Sequence, residues 1–257
     1  ELRDELTTSG VQVDLRARLA ELPTVTSVGM NALAPLTRGG RLSPVMKSGR
    51  FQGFRAGEAV VSRPDDRVKA MGARAGGRPP LRLELGEIAA TTPARLKNKI
   101  AQSQLIVVHG LELDEAGEAG FGVRLFEDVL RNVVAACRHL EAAGVQHFVL
   151  TSDHGFLLQD QTVHPRTFGS RGEADRRYVF TQTDRAEAGY LSLPMAACGY
   201  EHEPMGFLVF REDTHDYDVG RPVGSFTHGG NSLQERVVPV LQVSRKRATT
   251  DSALTFA

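Results

Sequence analysis

Cysteine and an excess of charge of one sign are both scarce in this sequence. Of its 257 residues only Cys137 and Cys198 are cysteines, and they do not form a Cys-x-x-Cys pair. This excludes a thiolate zinc site and a disulfide framework, and it favours a reducing cytoplasm. Lysine plus arginine and aspartate plus glutamate both number 31, so the formal net charge is zero. A balanced charge gives no support to a protein that coats nucleic acid through general electrostatics.

Long apolar runs are absent too. No run approaches the roughly 20 residues that a helix needs to cross a bilayer. We therefore expect no membrane partner and a cytoplasmic location. The sequence begins at Glu1, without a methionine, in a helix-like stretch. We expect that a segment upstream of Glu1 is missing.

The middle of the chain carries the clearest structural pattern. The run 104–109 is short, apolar and rich in β-branched residues, which predicts a buried strand. Apolar residues then recur at three- and four-residue steps over about 123–143, which predicts an amphipathic helix ending near Gly144. A second strand is predicted at 145–151. Strand, helix and strand in this order predict a βαβ unit and a parallel sheet.

Other parts of the chain are less regular. Gly, Arg and Pro cluster within about 37–90, which we interpret as an inserted polar segment or cap. Residues 158–178 read as a second polar loop, and 206–210 as a further strand. We treat residues 1–257 as one domain that carries this insertion.

The strongest chemical signal follows the predicted strand at 145–151. Asp153 and His154 stand side by side, and Gly155 permits a sharp turn. In open α/β sheets, ligands bind beyond the carboxyl ends of the strands. Carboxylate and imidazole suit Zn²⁺ or Mn²⁺, so the pair is a candidate metal site. The alternative is an Asp cap beside a loop histidine.

Two further segments offer metal ligands. His228 precedes two glycines, which let the backbone approach a bound group closely; the alternative is a hairpin turn with a surface histidine. Asp114 and Glu118 lie four residues apart beyond the strand that ends at His109, so both carboxylates can face one cation. The alternative there is a solvated acidic loop before a helix.

A run of hydroxyl residues precedes an apolar helical turn at 24–34. Such a run is typical of a helix N-cap. The same geometry allows a functional interpretation, because a helix N-terminus offers free N–H groups to phosphate oxygens while a threonine hydroxyl attacks the phosphorus. Both interpretations remain open from the residues alone.

Three segments together resemble a known family. LPTVTSVGMNALAP at 22–35, TSDHGF at 151–156 and THGGNSLQERVVP at 227–239 are similar to the PglZ domain of the alkaline phosphatase superfamily. PglZ is a component of BREX-type bacterial phage defence. The resemblance implies an α/β fold with a doubly wound, mostly parallel sheet flanked by helices, whose first strand is missing here. It also implies a bacterial cytoplasmic protein with other phage-defence proteins as partners.

The resemblance also implies roles for individual residues. Thr26 would be the nucleophile, Asp153 and His154 would hold one divalent metal, and Asp114, Glu118 and His228 would hold a second. Zn²⁺ is the first expectation, with Mn²⁺ or Mg²⁺ as alternatives. The substrate would be a phosphate ester, with nucleotides or nucleic acid favoured. Arg176 and Arg177 are candidates for binding its phosphates, although a solvated polar loop is the alternative.

Two departures from the family pattern support a different class of function. The metal-binding Asp that ends the first strand in related proteins has no counterpart here, and Glu118 stands where histidine is common. The alternative function is therefore a weakly active or inactive scaffold that docks partners in a defence complex. Sulfate-ester hydrolysis or phosphomutase chemistry on the same scaffold is a third class. Thr26 argues against a sulfatase, which uses a modified cysteine or serine.

Overall fold

The structure is a computed structural model. It describes residues 2–7, 11–34, 42–48, 50–74, 77–118, 124–159, 165–169, 174–201, 206–220 and 224–245. Within these ranges the side chains at positions 74, 118, 124 and 125 lie outside the description.

The described ranges contain eight α-helices. In chain order they are α1 Leu2–Leu6, α2 Thr26–Leu33, α3 Pro64–Arg74, α4 Leu85–Ala90, α5 Pro93–Ile100, α6 Glu112–Glu118, α7 Arg124–Ala142 and α8 Leu233–Arg236. A 3₁₀ helix spans Met195–Cys198. No described helix is both long enough and apolar enough to span a bilayer.

Thirteen strands occur in the same ranges. They are β1 Val11–Leu19, β2 Ser43–Lys47, β3 Arg50–Ala56, β4 Ala59–Val61, β5 Leu81–Glu84, β6 Ile106–His109, β7 His147–Thr151, β8 Leu157–Leu158, β9 Tyr178–Thr181, β10 Tyr190–Pro194, β11 Phe207–Arg211, β12 Phe226–Thr227 and β13 Val237–Arg245.

The strands form five small sheets, with orders β1-β13-β7, β10-β11-β9, β2-β3-β4, β12-β8 and β5-β6. Among the described strands, only β5 and β6 pair in parallel. The expectation of a doubly wound, mostly parallel sheet is therefore wrong for this structure. The predicted strands at 104–109, 145–151 and 206–210 and the helix at 123–143 are all found as β6, β7, β11 and α7.

The expectation of a parallel sheet fails because β7 pairs with a different strand from the one predicted. The last strand, β13, lies antiparallel between β1 and β7, with Leu241 opposite Leu150 and Val243 opposite Phe148. This register directs Leu241 and Val243 into a buried cluster with Val134 of α7. Burying these side chains removes apolar surface from water, and the alternating pattern of β13 satisfies one face of a sheet. The predicted parallel pairing of β6 with β7 is therefore not found; among the described strands the parallel pair is β5 with β6, which α4 and α5 connect.

Two further clusters of buried apolar side chains hold other elements of the fold together. Leu83, Ile88 and Leu96 pack with Leu140 of α7, which anchors β5, α4 and α5. Phe54 and Val28 pack with other apolar side chains between the β2-β3-β4 sheet, α2 and the β10-β11-β9 sheet. Segment 37–90 therefore contributes strands and helices that pack on the rest of the fold. Its status as an insertion stays a prediction.

Candidate active site

The N-terminus of α2 presents Thr26 to the site. Val25 has extended backbone geometry, and Thr26 is the first helical residue. The buried neighbour Thr24 donates its hydroxyl to the Gly230 carbonyl at 2.8 Å and accepts from the Gly229 N–H at 3.1 Å. These two bonds hold the start of α2 against the loop that contains Gly229 and Gly230, which we call the glycine loop.

The Asp153–His154 turn directly follows β7 and meets Thr26. The Thr26 Oγ1 atom lies 3.1 Å from His154 Nε2, and the His154 N–H donates to Asp153 Oδ1 at 3.1 Å. The turn approaches α8 so closely that a Cβ on Gly155 would lie 2.1 Å from the Gln234 carbonyl oxygen. Only glycine fits there, so Gly155 allows the turn to pack closely against α8.

His154 and His228 come from segments 74 residues apart in sequence, yet their rings stack with centroids 4.2 Å apart and planes inclined by 13°. Each Nδ1 faces a backbone carbonyl, that of Gly155 at 3.0 Å for His154 and that of Thr24 at 3.1 Å for His228. A carbonyl only accepts, so each Nδ1 carries the proton and donates. Each Nε2 is then the basic nitrogen, an arrangement common in metal-binding histidines.

Burial favours the neutral form of His228. Burial lowers its pKa, and the neighbouring His154 lowers it further. The Thr24 carbonyl and the carboxylates of Asp114 and Asp153 act in the opposite direction. A neutral imidazole is the form that binds a metal, so the environment of His228 suits a ligand.

The fold thus brings four of the predicted site residues together: Thr26, Asp153, His154 and His228. Asp114 on α6 acts electrostatically on the His228 imidazole. α6 packs on β12, where a Cβ on Gly117 would lie 2.3 Å from the Phe226 ring. The side chain of Glu118 lies outside the described residues. Within the described ranges, no group of three or more His, Cys, Asp or Glu side chains has the arrangement of a metal site.

Comparison with known protein families assigns the chain to one of them. The family model of the BREX system PglZ alkaline phosphatase-like domain matches residues 1–243. The chain belongs to the PglZ family. A search of curated proteins found no match to it.

In this PglZ domain the two candidate arginines have different surroundings. Arg177 is buried, and its guanidinium pairs with Glu235 through two contacts of 3.1 and 3.2 Å while donating to the His215 carbonyl at 2.7 Å. The backbone N–H of Arg176 donates to Asp175 at 2.9 Å, and its own Nε is buried without a hydrogen-bond partner. The Arg177 guanidinium is therefore occupied by the protein itself.

The sequence interpretation missed Glu235, which organises the glycine loop of the PglZ domain. Its carboxylate accepts from the Gly230 N–H at 2.7 Å and from the Ser232 hydroxyl at 2.7 Å. Ser232 and Glu235 form a capping box at the start of α8. The Ser-x-x-Glu spacing was the signal that could have revealed this role.

Asp216 is a second buried acid, and its sequence pattern indicated no role for it. It is 1 % exposed and accepts from the Thr227 hydroxyl at 3.3 Å and from Gln159 Nε2 at 3.3 Å. Its Oδ2 atom has no hydrogen-bond partner. Burial raises its pKa from 3.8 to about 6, although Arg177 acts in the opposite direction.

We expect Asp216→Asn to stabilise the protein more at neutral pH than at acid pH. Because the folded-state pKa is raised, ionisation of Asp216 lowers stability as the pH rises from about 4 to about 6, by about 3 kcal/mol at most. Asparagine keeps the oxygen acceptor but carries no charge. Melting temperatures measured from about pH 5 to about pH 7.5 should show the variant gaining on wild type as pH rises.

The matched control for this variant is Asp213→Asn. Asp213 lies three residues away, but hydrogen bonding to Arg211 lowers its pKa to about 2. Removing that charge should give no gain over wild type at neutral pH. An Asp216→Asn variant whose melting temperature stays at a constant offset from wild type would contradict the assigned titration.

Proposed function

We propose that this domain is a metal-dependent phosphoesterase that hydrolyses phosphate diesters in bacterial phage defence, with Thr26 as nucleophile. The observation that carries the proposal is the 3.1 Å separation between Thr26 Oγ1 and His154 Nε2, beside Asp153 and the stacked His228 ring. Family membership supports the phosphoesterase class, because the family is alkaline phosphatase-like and belongs to the BREX system. Nucleotides or nucleic acid are the proposed substrates.

The side chains fit divalent metals by their chemistry. Asp153, His154 and the Thr26 oxygen would hold one ion, and Asp114, Glu118 and His228 would hold a second. Both imidazoles have their Nδ1 atoms engaged by carbonyls, which leaves Nε2 for a cation. Nitrogen and oxygen ligands together suit Zn²⁺, and the carboxylates also suit Mn²⁺ or Mg²⁺.

The chain's own groups account for positioning. The N-terminus of α2 directs its free N–H groups and the positive end of its dipole towards the phosphate oxygens. Before a cation binds, His154 Nε2 accepts the Thr26 hydrogen bond and so holds the hydroxyl oxygen in the site. Once Nε2 binds a cation, its lone pair is no longer available to Thr26, whose oxygen would then be held by that cation. The Thr26 hydroxyl gives its proton to water as its oxygen bonds to phosphorus, and the bond between phosphorus and the leaving oxygen breaks. The leaving oxygen takes a proton from water. Water then hydrolyses the phosphothreonine, which restores Thr26 and releases the phosphate monoester. Bound divalent metals would neutralise charge on the attacking and leaving oxygens.

Hydrolysis of bis-p-nitrophenyl phosphate with added Zn²⁺, Mn²⁺ or Mg²⁺, together with elemental analysis, tests the proposal. We expect metal-dependent turnover in wild type. Thr26→Ala should lower turnover by at least about 10³-fold while largely retaining metal, because the nucleophile is removed but Asp153 and His154 remain as ligands. Asp153→Ala should lose both metal and turnover.

Thr91→Ala provides the control, because Thr91 donates its hydroxyl to the Glu87 carbonyl within its own helical turn. It should match wild type in both measurements. Undiminished turnover in Thr26→Ala would refute the nucleophile assignment.

A scaffold that docks other phage-defence proteins is the second candidate function. The observation that favours it is that the described residues include no ready group of three metal ligands. On this hypothesis the Asp153→Ala/His154→Ala double variant would retain phage protection and partner binding. Loss of protection with retained partner binding would instead favour the enzyme.

A further inference from the structure

Arg67 is a buried cation that the proposed mechanism does not use. It lies on α3, within the segment 37–90, and is 9 % exposed. Arginine is almost never this deeply buried without a partner, because moving an unpaired guanidinium out of water is strongly unfavourable. Its contacts are therefore informative.

The described residues give Arg67 no direct ion-pair partner. Its Nε atom is buried without a hydrogen-bond partner, and one terminal nitrogen donates to the Ser62 carbonyl at a long 3.5 Å. No ion pair within 4.0 Å joins it to a carboxylate in the described part of the chain. The neighbouring Asp66 instead accepts from the backbone N–H of Arg63 at 3.1 Å.

Arg67 lies within electrostatic range of the candidate active site. Burial lowers its pKa and the nearby Arg82 lowers it further, whereas the carboxylates of Asp153 and Asp66 raise it. The pKa of His109 is lowered by burial, by Arg82 and by Arg67, and is raised by Glu84 and Asp153. Arg67 therefore lies within electrostatic range of the carboxylate that follows β7 and of the histidine that ends β6.

The neighbouring charges do not balance Arg67. Arg82 is already paired with Glu84 at 2.6 Å and, more distantly, with Asp65 at 3.9 Å. Asp153 and Asp66 are the nearby acids, and Asp66 accepts from the backbone N–H of Arg63. Asp153 Oδ1 accepts from the His154 N–H, and the same carboxylate is a proposed metal ligand. Once Asp153 binds a cation, its charge is no longer available to Arg67.

We propose that Arg67 binds an anionic oxygen of the substrate's phosphate group beside Asp153. The inference rests on the proposed function and extends it, because it makes segment 37–90 a contributor of substrate contacts. A guanidinium presents several N–H donors in one plane, which matches two phosphate oxygens at once. An incoming phosphate would supply the charge and the hydrogen-bond acceptors that the protein does not.

Binding of inorganic phosphate tests this directly and needs no turnover. Affinity would be measured by calorimetry on Zn²⁺-loaded and chelator-treated protein for wild type, Arg67→Met, Arg67→Lys and Arg63→Met. We expect Arg67→Met to weaken binding by about 10- to 100-fold, in line with the loss of a charge-assisted hydrogen bond. Arg67→Lys should recover part of it, and Arg63→Met, an exposed position four residues earlier, should match wild type.

Two further measurements separate phosphate binding from a structural role. The melting temperature of Arg67→Met should be no lower than that of wild type, because a buried charge without a direct ion-pair partner is removed. With bis-p-nitrophenyl phosphate, Arg67→Met should raise KM more than it lowers kcat. A clear drop in melting temperature, or phosphate binding equal to wild type, would overturn the proposal.

The outcomes also separate this inference from the hydrolase proposal. Arg67-dependent phosphate binding in a protein without turnover would refute the hydrolase and retain the anion site. Metal-dependent turnover that Arg67→Met leaves unchanged would refute the anion site and retain the hydrolase.

Discussion

Replacing Glu235 with alanine is expected to cause the largest loss of stability of any single change considered for this domain. Glu235 is 0 % exposed and holds Arg177 through two contacts, while also accepting from Gly230 and Ser232. Alanine would leave the buried Arg177 guanidinium with only the more distant Asp216 carboxylate, 3.8 Å away. It would also leave the Gly230 N–H and the Ser232 hydroxyl without their acceptor. Breaking a buried pair in this way costs about 3–5 kcal/mol, a large part of the total stability of a domain.

Urea unfolding of Glu235→Ala, Arg177→Met and the double variant measures this effect. The double variant should be less destabilised than the sum of the two single variants, because neither charge is then left alone. Glu187→Ala, which removes a carboxylate from an exposed 4.0 Å pair with Arg185, should leave the midpoint unchanged. Strict additivity in the double variant would contradict the buried pair.

The convergence of the motifs could be anticipated because each one depends on local backbone chemistry. Asp153 and His154 follow a strand, and Gly155 permits the turn that the structure shows. His228 precedes glycines that allow a close approach to Thr24. Turn residues and strand ends are readable from short windows, so the meeting of Thr26 with His154 agrees with expectation.

The pairing of strands in the sheets could not be predicted from short stretches of sequence. Strand periodicity identifies β7 and β13, but the two strands are about 90 residues apart and their pairing is set by burial of Leu241 and Val243 under α7. Loop-closure entropy rises only slowly with separation, so sequence distance gives little help in choosing the partner. The parallel sheet was therefore assigned to the wrong strands.

Long-range ion pairing escaped prediction for a related reason. The Ser232–Glu235 spacing indicates a helix cap. Nothing near it in the sequence indicates that the Glu235 carboxylate also pairs with Arg177, which lies 58 residues earlier in the chain. Arg67 was overlooked because it lies in a segment interpreted as a polar insertion. Its importance depends on burial and on missing partners, which composition does not record.

Gly29→Ala is expected to give the largest loss of turnover among changes that leave every candidate catalytic group intact. Gly29 lies on α2, one turn after Thr26, and faces the Asp153 turn. A Cβ there would lie 2.5 Å from the Asp153 carbonyl oxygen and 2.7 Å from its Cβ. Because neither backbone yields easily, α2 and the turn must separate, and a displacement of about 1 Å can lower turnover by about 10²-fold.

Gly86→Ala is the matched control for this prediction. Gly86 is also helical, but a Cβ there would meet no atom within 4 Å. Alanine should raise stability by up to about 1 kcal/mol through helix propensity and leave turnover unchanged. Turnover and metal content of both variants would be measured well below their melting temperatures. Wild-type turnover in Gly29→Ala would contradict the prediction that the reaction depends on close packing of α2 against the Asp153 turn.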